Sequence, residues 1–254
     1  MSAEFTQDYF TKQFRELGLH EGDLVLVHSS VEGAPFEVAI SCYNALIEAV
    51  GKSGTVVFPT FNFSFCQGAS YDHLKTPSHM GLLTEMARRS PKASRIFHPI
   101  YSFAMLGAQA QKLAATIRNT SSYADDSFFG ELRRQNGKIL LIKLPFNKSM
   151  TFFHHVEEMV GCDYRYMKDF TGDVVDEKGV TTKKTAQIFV RDLDAGVVTY
   201  LDEIQKRMEV LNLVKLKEIG PWPVRLMEAA KIFDATKEIL KKEPHILRRI
   251  EKKN

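Results

Sequence analysis

The amino-acid sequence predicts an α/β fold: three layers, α/β/α, with a mixed central sheet and an attached antiparallel β element. Three observations carry that expectation. Short apolar runs, Leu24-Val25-Leu26-Val27, Thr55-Val56-Val57-Phe58 and Lys138-Ile139-Leu140-Leu141-Ile142, alternate with stretches whose apolar residues recur at helical spacing. Between residues 169 and 194 the pattern becomes that of a hairpin around Glu177-Lys178-Gly179, with a further strand over 185–190. Hydrophobic residues make up 44% of the chain, enough for a sizeable core. Its 254 residues are expected to form a single domain, 1–254, with the β insertion around 169–194.

In chain order, Phe5, Tyr9, Phe10, Phe14 and Leu17 recur at helical spacing, and Gly18 can end that helix. Glu21-Gly22-Asp23 is a turn, and the strand after it delivers His28-Ser29-Ser30 at its carboxyl end. Residues 39–50 read as a helix, with Ile40, Tyr43, Leu46, Ile47 and Val50 on one side. The triplet Gly51-Lys52-Ser53 is no phosphate loop: Leu46 stands where that motif requires a first glycine, and a helix precedes it instead of a strand. Past the strand 55–58, Pro59-Thr60-Phe61-Asn62-Phe63 opens a long loop through Gly68, Asp72, Pro77 and His79, and loops of that length are usually functional. Residues 81–89 form a helix with Leu82, Leu83 and Met86 inward, stopped at Ser90-Pro91. A turn and strand share 95–104, and helices follow at 110–116 and 128–134. Beyond the hairpin, 201–211 and 226–240 read as amphipathic helices, with Pro221-Trp222-Pro223 breaking the chain between them. The end, from Leu247 to Asn254, is a basic, solvated tail.

Charge and cysteine content exclude several classes. A net charge of +3 falls short of a nucleic-acid binder with a concentrated patch, and it favours an anionic ligand over a polycation. Cys42, Cys66 and Cys162 are scattered, which fits a reducing compartment without a disulfide framework. Residues 1–20 hold no apolar leader segment, and no later run reaches the ~18 apolar residues of a membrane span. The expectation is a cytoplasmic protein with no membrane partner.

One stretch carries chemistry. After the strand 138–142, Pro145 cannot continue a sheet ladder, and Ser149 or Thr151 can cap a helix running to Val160. Phe152, Phe153, Val156, Met159 and Val160 share one arc, and His154 points away from it. Glu157 and Glu158 lie one turn ahead of His154, and Thr151 one turn behind. A carboxylate there fixes an imidazole's tautomer, and a hydroxyl can donate to developing negative charge. The spacing fits a general base with its supporting groups, and it equally fits an ordinary solvated polar face.

Several separated motifs then agree. The stretch 24–30 ending in His28-Ser29-Ser30, Gly54 through Phe61, Met80-Gly81, His98-Pro99-Ile100-Tyr101-Ser102-Phe103 with Gly107, Thr151-Phe152-Phe153-His154-His155-Val156-Glu157, and the helix start Val224-Arg225-Leu226-Met227 together resemble the aminoglycoside 3-N-acetyltransferase family. The resemblance covers about residues 17–240. It implies an α/β fold and an N-acyltransferase with acetyl-coenzyme A or a similar thioester as co-substrate and no metal. It further implies His154 as base, Thr151 as the hydroxyl that stabilises the intermediate and Glu157 as the supporting carboxylate. The doubled residues leave His155 with Glu158 as a rival register; His154 is preferred because His155 lies nearer the apolar arc.

On that reading His28, Ser29, Ser30, Ser102 and Phe103 are candidates for coenzyme A, and Thr60, Glu158, Tyr164 and Arg165 for the acceptor. The family's acceptors are amino sugars. The net positive charge, with Arg165 and Lys168 beside Tyr164 and Tyr166, favours a nucleotide-linked (dTDP or UDP) amino sugar, the alternative being an aminoglycoside antibiotic. A metal hydrolase using both histidines lacks any HExxH or Cys/His spacing. A Cys66 or Cys162 nucleophile lacks a motif, and a plain nucleotide-binding module has no use for the Thr-His-Glu helix.

Overall fold

Strand side chains alternate between faces, so Leu24 and Leu26 feed one core while Val25 and Val27 feed the other. Both cores are covered by helices, which is why these strands read as continuous apolar runs. The computed structural model describes residues 5–251. In chain order its elements are α1 (Gln7–Leu17), β1 (Leu24–Ser29), α2 (Phe36–Ala49), β2 (Thr55–Pro59), β3 (Tyr71–Asp72), α3 (Leu82–Arg89), β4 (Ser94–Ile96), β5 (Phe103–Gly107), α4 (Ala110–Thr116), α5 (Phe128–Arg134), β6 (Lys138–Ile142) and α6 (Phe152–Val160). There follow β7 (Arg165–Val175), β8 (Thr181–Arg191), β9 (Val197–Thr199), α7 (Asp202–Val210), β10 (Lys215–Ile219), β11 (Trp222–Glu228), α8 (Ala229–Lys242) and β12 (Arg248–Ile250).

The central sheet has the order β10-β11-β6-β1-β2-β5-β4. Strands β6, β1 and β2 are parallel, while β5 and β11 run antiparallel to their neighbours, so the sheet is mixed. Helices α1, α2 and α3 bury Phe10, Leu46 and Leu83 on one face. Helices α5, α6 and α8 bury Phe129, Phe153 and Ile232 on the other. The carboxyl ends of the three parallel strands lie together, Ser29 level with Ile142, and ligands of open α/β sheets bind beyond such ends.

The attached element is a two-stranded ribbon, β7 against β8, with β3 added parallel to β7. It begins at Arg165, four residues before the expected boundary at 169. Gly172 lets the ribbon lie on the loop below, because a Cβ there would stand 2.8 Å from the Phe65 ring.

Four expectations are corrected. The stretch from Val224 is not a helix start: Trp222, Val224 and Leu226 alternate inward as strand β11, paired with β6 and β10, and helix α8 begins only at Ala229. Pro223 does not break the chain there. It sits near the strand's first residue, where its carbonyl still accepts from Lys143 N–H at 2.8 Å. Leu82, expected inward, is exposed at the first turn of α3. Arg248–Ile250 of the expected solvated tail pair with β9, and residues 252–254 lie outside the described residues.

Candidate active site

The chain after β6 turns sharply. Ser149 Oγ donates to the Pro145 carbonyl at 2.8 Å, and Met150 N–H donates to the Phe146 carbonyl at 2.9 Å. Thr151 then precedes α6 in helical conformation, with its hydroxyl making no cap bond. Phe152, Phe153 and Val156 are fully buried and anchor the helix, each worth about 1.5–3 kcal/mol by area removed from water. At its far end Gly161 adopts φ +68°, and its N–H reaches the carbonyls of Glu157 and Glu158. The anchored face fixes which side chains turn outward.

His154 turns toward a cleft of about 570 Å³ walled by the α6 start and by the ribbon residues Phe170, Ile188, Phe189, Val190 and Arg191. Its Nδ1 stands 2.6 Å from Glu157 Oε2. Glu157 is 1% exposed and also accepts from Tyr164 Oη at 2.8 Å. The Arg165 guanidinium, 3% exposed, lies beside both groups: Nε is 2.8 Å from Glu157 Oε2, and a terminal nitrogen is 2.8 Å from His154 Nδ1. The Nε–H is not aimed along an aligned hydrogen bond, so the contact with Glu157 is an ion pair. With its proton on Nδ1 the ring donates to Glu157 at the shorter distance, so the Arg165 nitrogen beside the same atom is a charge contact and not a hydrogen bond, and Nε2 is then the nitrogen with a lone pair.

Electrostatics favour that state. Burial and the Arg165 charge hold His154 below the ordinary imidazole range, against the pull of Glu157. Burial alone would raise Glu157, but Arg165 and the bonds from His154 and Tyr164 outweigh it and keep the carboxylate ionised. The imidazole is therefore neutral at pH 7 and able to accept a proton.

A second cleft of about 540 Å³ lies beyond the carboxyl ends of β1 and β2. His28, Ser29 and Ser30 line it, with Val31 to Ala34 before α2 and Met80-Gly81 before α3. The start of α3 at Gly81-Leu82 lines this space, and the loop leading into α2 borders it, which makes it suited to phosphate or amide groups. His28 is held neutral by burial, its pKa pushed down to about 4. Lys148 lines both clefts and joins them.

The other candidate residues lie elsewhere. Ser102 Oγ donates to the Thr60 carbonyl at 2.9 Å and sits 2.7 Å from the Thr60 hydroxyl, and both are buried under Arg95. Phe103 packs among Phe61, Phe128 and Phe129 in the core. None of these three lines either cleft, because the strand-end hydroxyls are used inside the fold. Glu158 turns to Ser121, which donates to it at 2.5 Å, and Tyr164 is spent on Glu157, so neither reaches the cleft. Arg165 does line it, but its guanidinium is taken up by Glu157 and the Phe189 carbonyl at 3.0 Å. His155, of the rival register, is fully buried and its Nδ1 donates to the Tyr123 carbonyl at 2.6 Å. The two imidazoles diverge, so they cannot share a metal ion, and no cluster of three or more metal-type ligands occurs among the described residues.

Sequence reasoning missed Phe63, Tyr101, Tyr123, Lys148 and Arg191 as lining residues. Tyr101 lay within a quoted motif and Phe63 in the loop singled out by its length; the others arrive from loops and the ribbon, and no local pattern marks them. Among the described residues no helix is long and apolar enough to cross a membrane.

With this geometry in view, comparison with known proteins is direct. The sequence profile described as aminoglycoside 3-N-acetyltransferase matches residues 26–241. Aminoglycoside N(3)-acetyltransferase VII of Streptomyces paromomycinus is 28% identical over 190 residues, 65% of this chain and 64% of that relative, just under two thirds of its length. The SPbeta prophage-derived aminoglycoside N(3')-acetyltransferase-like protein YokD of Bacillus subtilis (strain 168) is 22% identical over 253 residues, 90% of each chain. The structure of AAC-IIIb bound to CoASH superposes with a TM-score of 0.80 at 22% identity, covering 94% of this chain and 97% of that one, and so shares the fold. The chain belongs to the aminoglycoside 3-N-acetyltransferase family, acyltransferases that draw on acetyl-coenzyme A.

Proposed function

We propose that this chain transfers an acetyl group from acetyl-coenzyme A to a primary amine of an amino sugar, with His154 as general base. The observation that supports it most is the 2.6 Å contact of His154 Nδ1 with the buried Glu157 carboxylate, which leaves Nε2 to the cleft. An amine attacks a thioester only when its nitrogen carries a lone pair. In the proposed step the amine nitrogen bonds to the thioester carbon as Nε2 takes its proton, and the oxyanion that forms accepts from the Thr151 hydroxyl. The carbon–sulfur bond then breaks, the carbonyl re-forms, and the departing thiolate takes the proton back from His154. The donor's phosphates and amides are assigned to the cleft of His28, Ser29 and Ser30. The donor points to the cytoplasm, where the three free thiols would also be stable.

For the acceptor, the relatives are named for aminoglycosides, and that alternative is now better supported than the nucleotide-linked sugar expected from net charge, which no such name supports. Aminoglycosides are therefore the first acceptors to try. The test follows thiol release from acetyl-coenzyme A across a panel of amino sugars. Release that needs both an amine and His154 is the expected result; release unaffected by His154→Ala, or none with any amine, would sink the reading.

A further inference from the structure

The acceptor is set by what the cleft itself presents. Beside His154 the lining carries Lys148, Arg165 and Arg191, and no Asp or Glu. Arg165 is neutralised from behind by Glu157, so Lys148 and Arg191 supply the charge that faces the space. Three carboxylates on neighbouring elements are engaged by other partners. Asp169 accepts from Gln187 Nε2 at 3.0 Å, Asp192 from Ala195 N–H at 2.9 Å, and Asp202 pairs with the Asn147 side chain. The remaining wall is aromatic and aliphatic at Phe63, Tyr101, Phe170, Ile188 and Val190, and neutral polar at Gln67, Asn147, Ser149 and Thr199.

An aminoglycoside brings several ammonium groups, and its recognition calls for carboxylates around the reacting amine. This cleft offers basic side chains instead, and no carboxylate to neutralise a second or third ammonium. A phosphate or carboxylate on the acceptor would meet both cations, and such charge-assisted contacts are the strong ones.

We infer that the acceptor of this chain carries an anionic group, a phosphate or a carboxylate, beside its reacting amine, and that Lys148 and Arg191 hold it. This rests on the acyltransfer reading of the same site and departs from the antibiotic acceptors of its relatives. Arg191 lines the acceptor cleft alone, whereas Lys148 also borders the donor cleft, so Arg191 is the cleaner probe.

The experiment measures kcat/KM by thiol release at saturating acetyl-coenzyme A and neutral pH, using the whole protein. The acceptors are glucosamine 6-phosphate, UDP-glucosamine, muramic acid, glucosamine and kanamycin. The phosphorylated or the carboxylated sugar is expected to exceed both glucosamine and kanamycin by about tenfold or more, as one good charge contact provides. The phosphate and carboxylate arms separate the two sources of charge. Arg191→Glu should erase that preference, and Arg191→Gln should reduce it, with the KM for acetyl-coenzyme A unchanged and a thermal unfolding midpoint near wild type. Kanamycin acetylated as well as or better than the anionic sugars overturns the inference and leaves the acyltransfer reading standing. So does an anionic preference that survives Arg191→Glu in folded protein. No thiol release with any of the five overturns both.

Discussion

The Arg165 guanidinium stands 2.8 Å from the Glu157 carboxylate, and water reaches almost none of either side chain. The pair crosses from strand β7 to helix α6, and His154 lies against both members. Arg165 is therefore a positioning residue: it holds the carboxylate that holds the base. Its charge also lowers the His154 pKa, second only to burial, while Glu157 raises it and the more distant Arg191 lowers it further. The phenols of Tyr101, Tyr123 and Tyr164 surround the group uncharged, each pushed up by burial.

Replacing Arg165 by Met should accordingly move the acid limb of the kcat/KM profile to higher pH, because His154 then keeps its proton longer. Arg165→Lys retains a positive charge and should leave the limb nearer its wild-type position. A pH profile that drops in height without moving would assign Arg165 a purely structural role.

The two adjacent histidines should behave oppositely. His154→Ala is expected to lower kcat by about 10²–10⁴ with an unchanged unfolding midpoint. His155 packs against Phe152 and Phe233 and bonds to the Tyr123 carbonyl, so His155→Ala should cost about 2–4 kcal/mol of stability. Its folded fraction should still turn over. A stable but inactive His155→Ala protein contradicts this assignment.

Thr151 makes no cap bond, so its hydroxyl contributes little to the fold. Thr151→Ala should lower kcat by about 10–10³ while the KM for both substrates holds. Thr151→Ser should recover most of the loss. Equal losses in Ala and Ser variants would point to the methyl group instead of the hydroxyl.

Acid should destabilise the fold before its carboxylates protonate. His28, His98 and His155 are each held by burial at a pKa of about 4. His98 Nδ1 also accepts the N–H groups of Ile100 and Tyr101, at 3.1 and 2.9 Å, which requires the neutral ring. The unfolded chain binds these protons near pH 6.5 and the folded chain only near 4. Stability is thus complete above about pH 6.5 and falls between 6.5 and 4, by roughly 3 kcal/mol per histidine at the lower end. Unfolding midpoints recorded from pH 7.5 to 4.5 should decline through that window, and a flat curve would contradict the burial argument.

The strands β1, β2 and β6 were legible because a strand covered on both faces is apolar throughout, and little else in this sequence looks like that. Strand β11 was not. Its alternating Trp222, Val224 and Leu226 run straight into the helical pattern of Ile232, Phe233 and Leu240, and the joint at Ala229 bears no glycine or proline. The relation of His154 to Glu157 was readable because one helical turn spans it. That of Arg165 to Glu157 crosses the Gly161 turn and depends on how β7 docks, so the sequence showed only a cation near the helix. Ser102 and Thr60 looked like site residues because hydroxyls beside strand ends suit a ligand; Thr60 does follow β2, but Ser102 precedes β5 instead of following a strand, and the packing of Arg95 over both places them inside.

One carboxylate serves His154, Tyr164 and Arg165 together. Losses at these positions will not add, since any one substitution disturbs the partner common to all. Stepwise change is closed to such a group. The ribbon wall is different: Phe170, Ile188, Val190 and Arg191 contribute to the cleft without touching that carboxylate. A lineage built on this fold can therefore exchange acceptors by rewriting one wall of a hairpin while the shared carboxylate and its three partners stay in place, Arg191 being a wall residue whose charge also reaches the base.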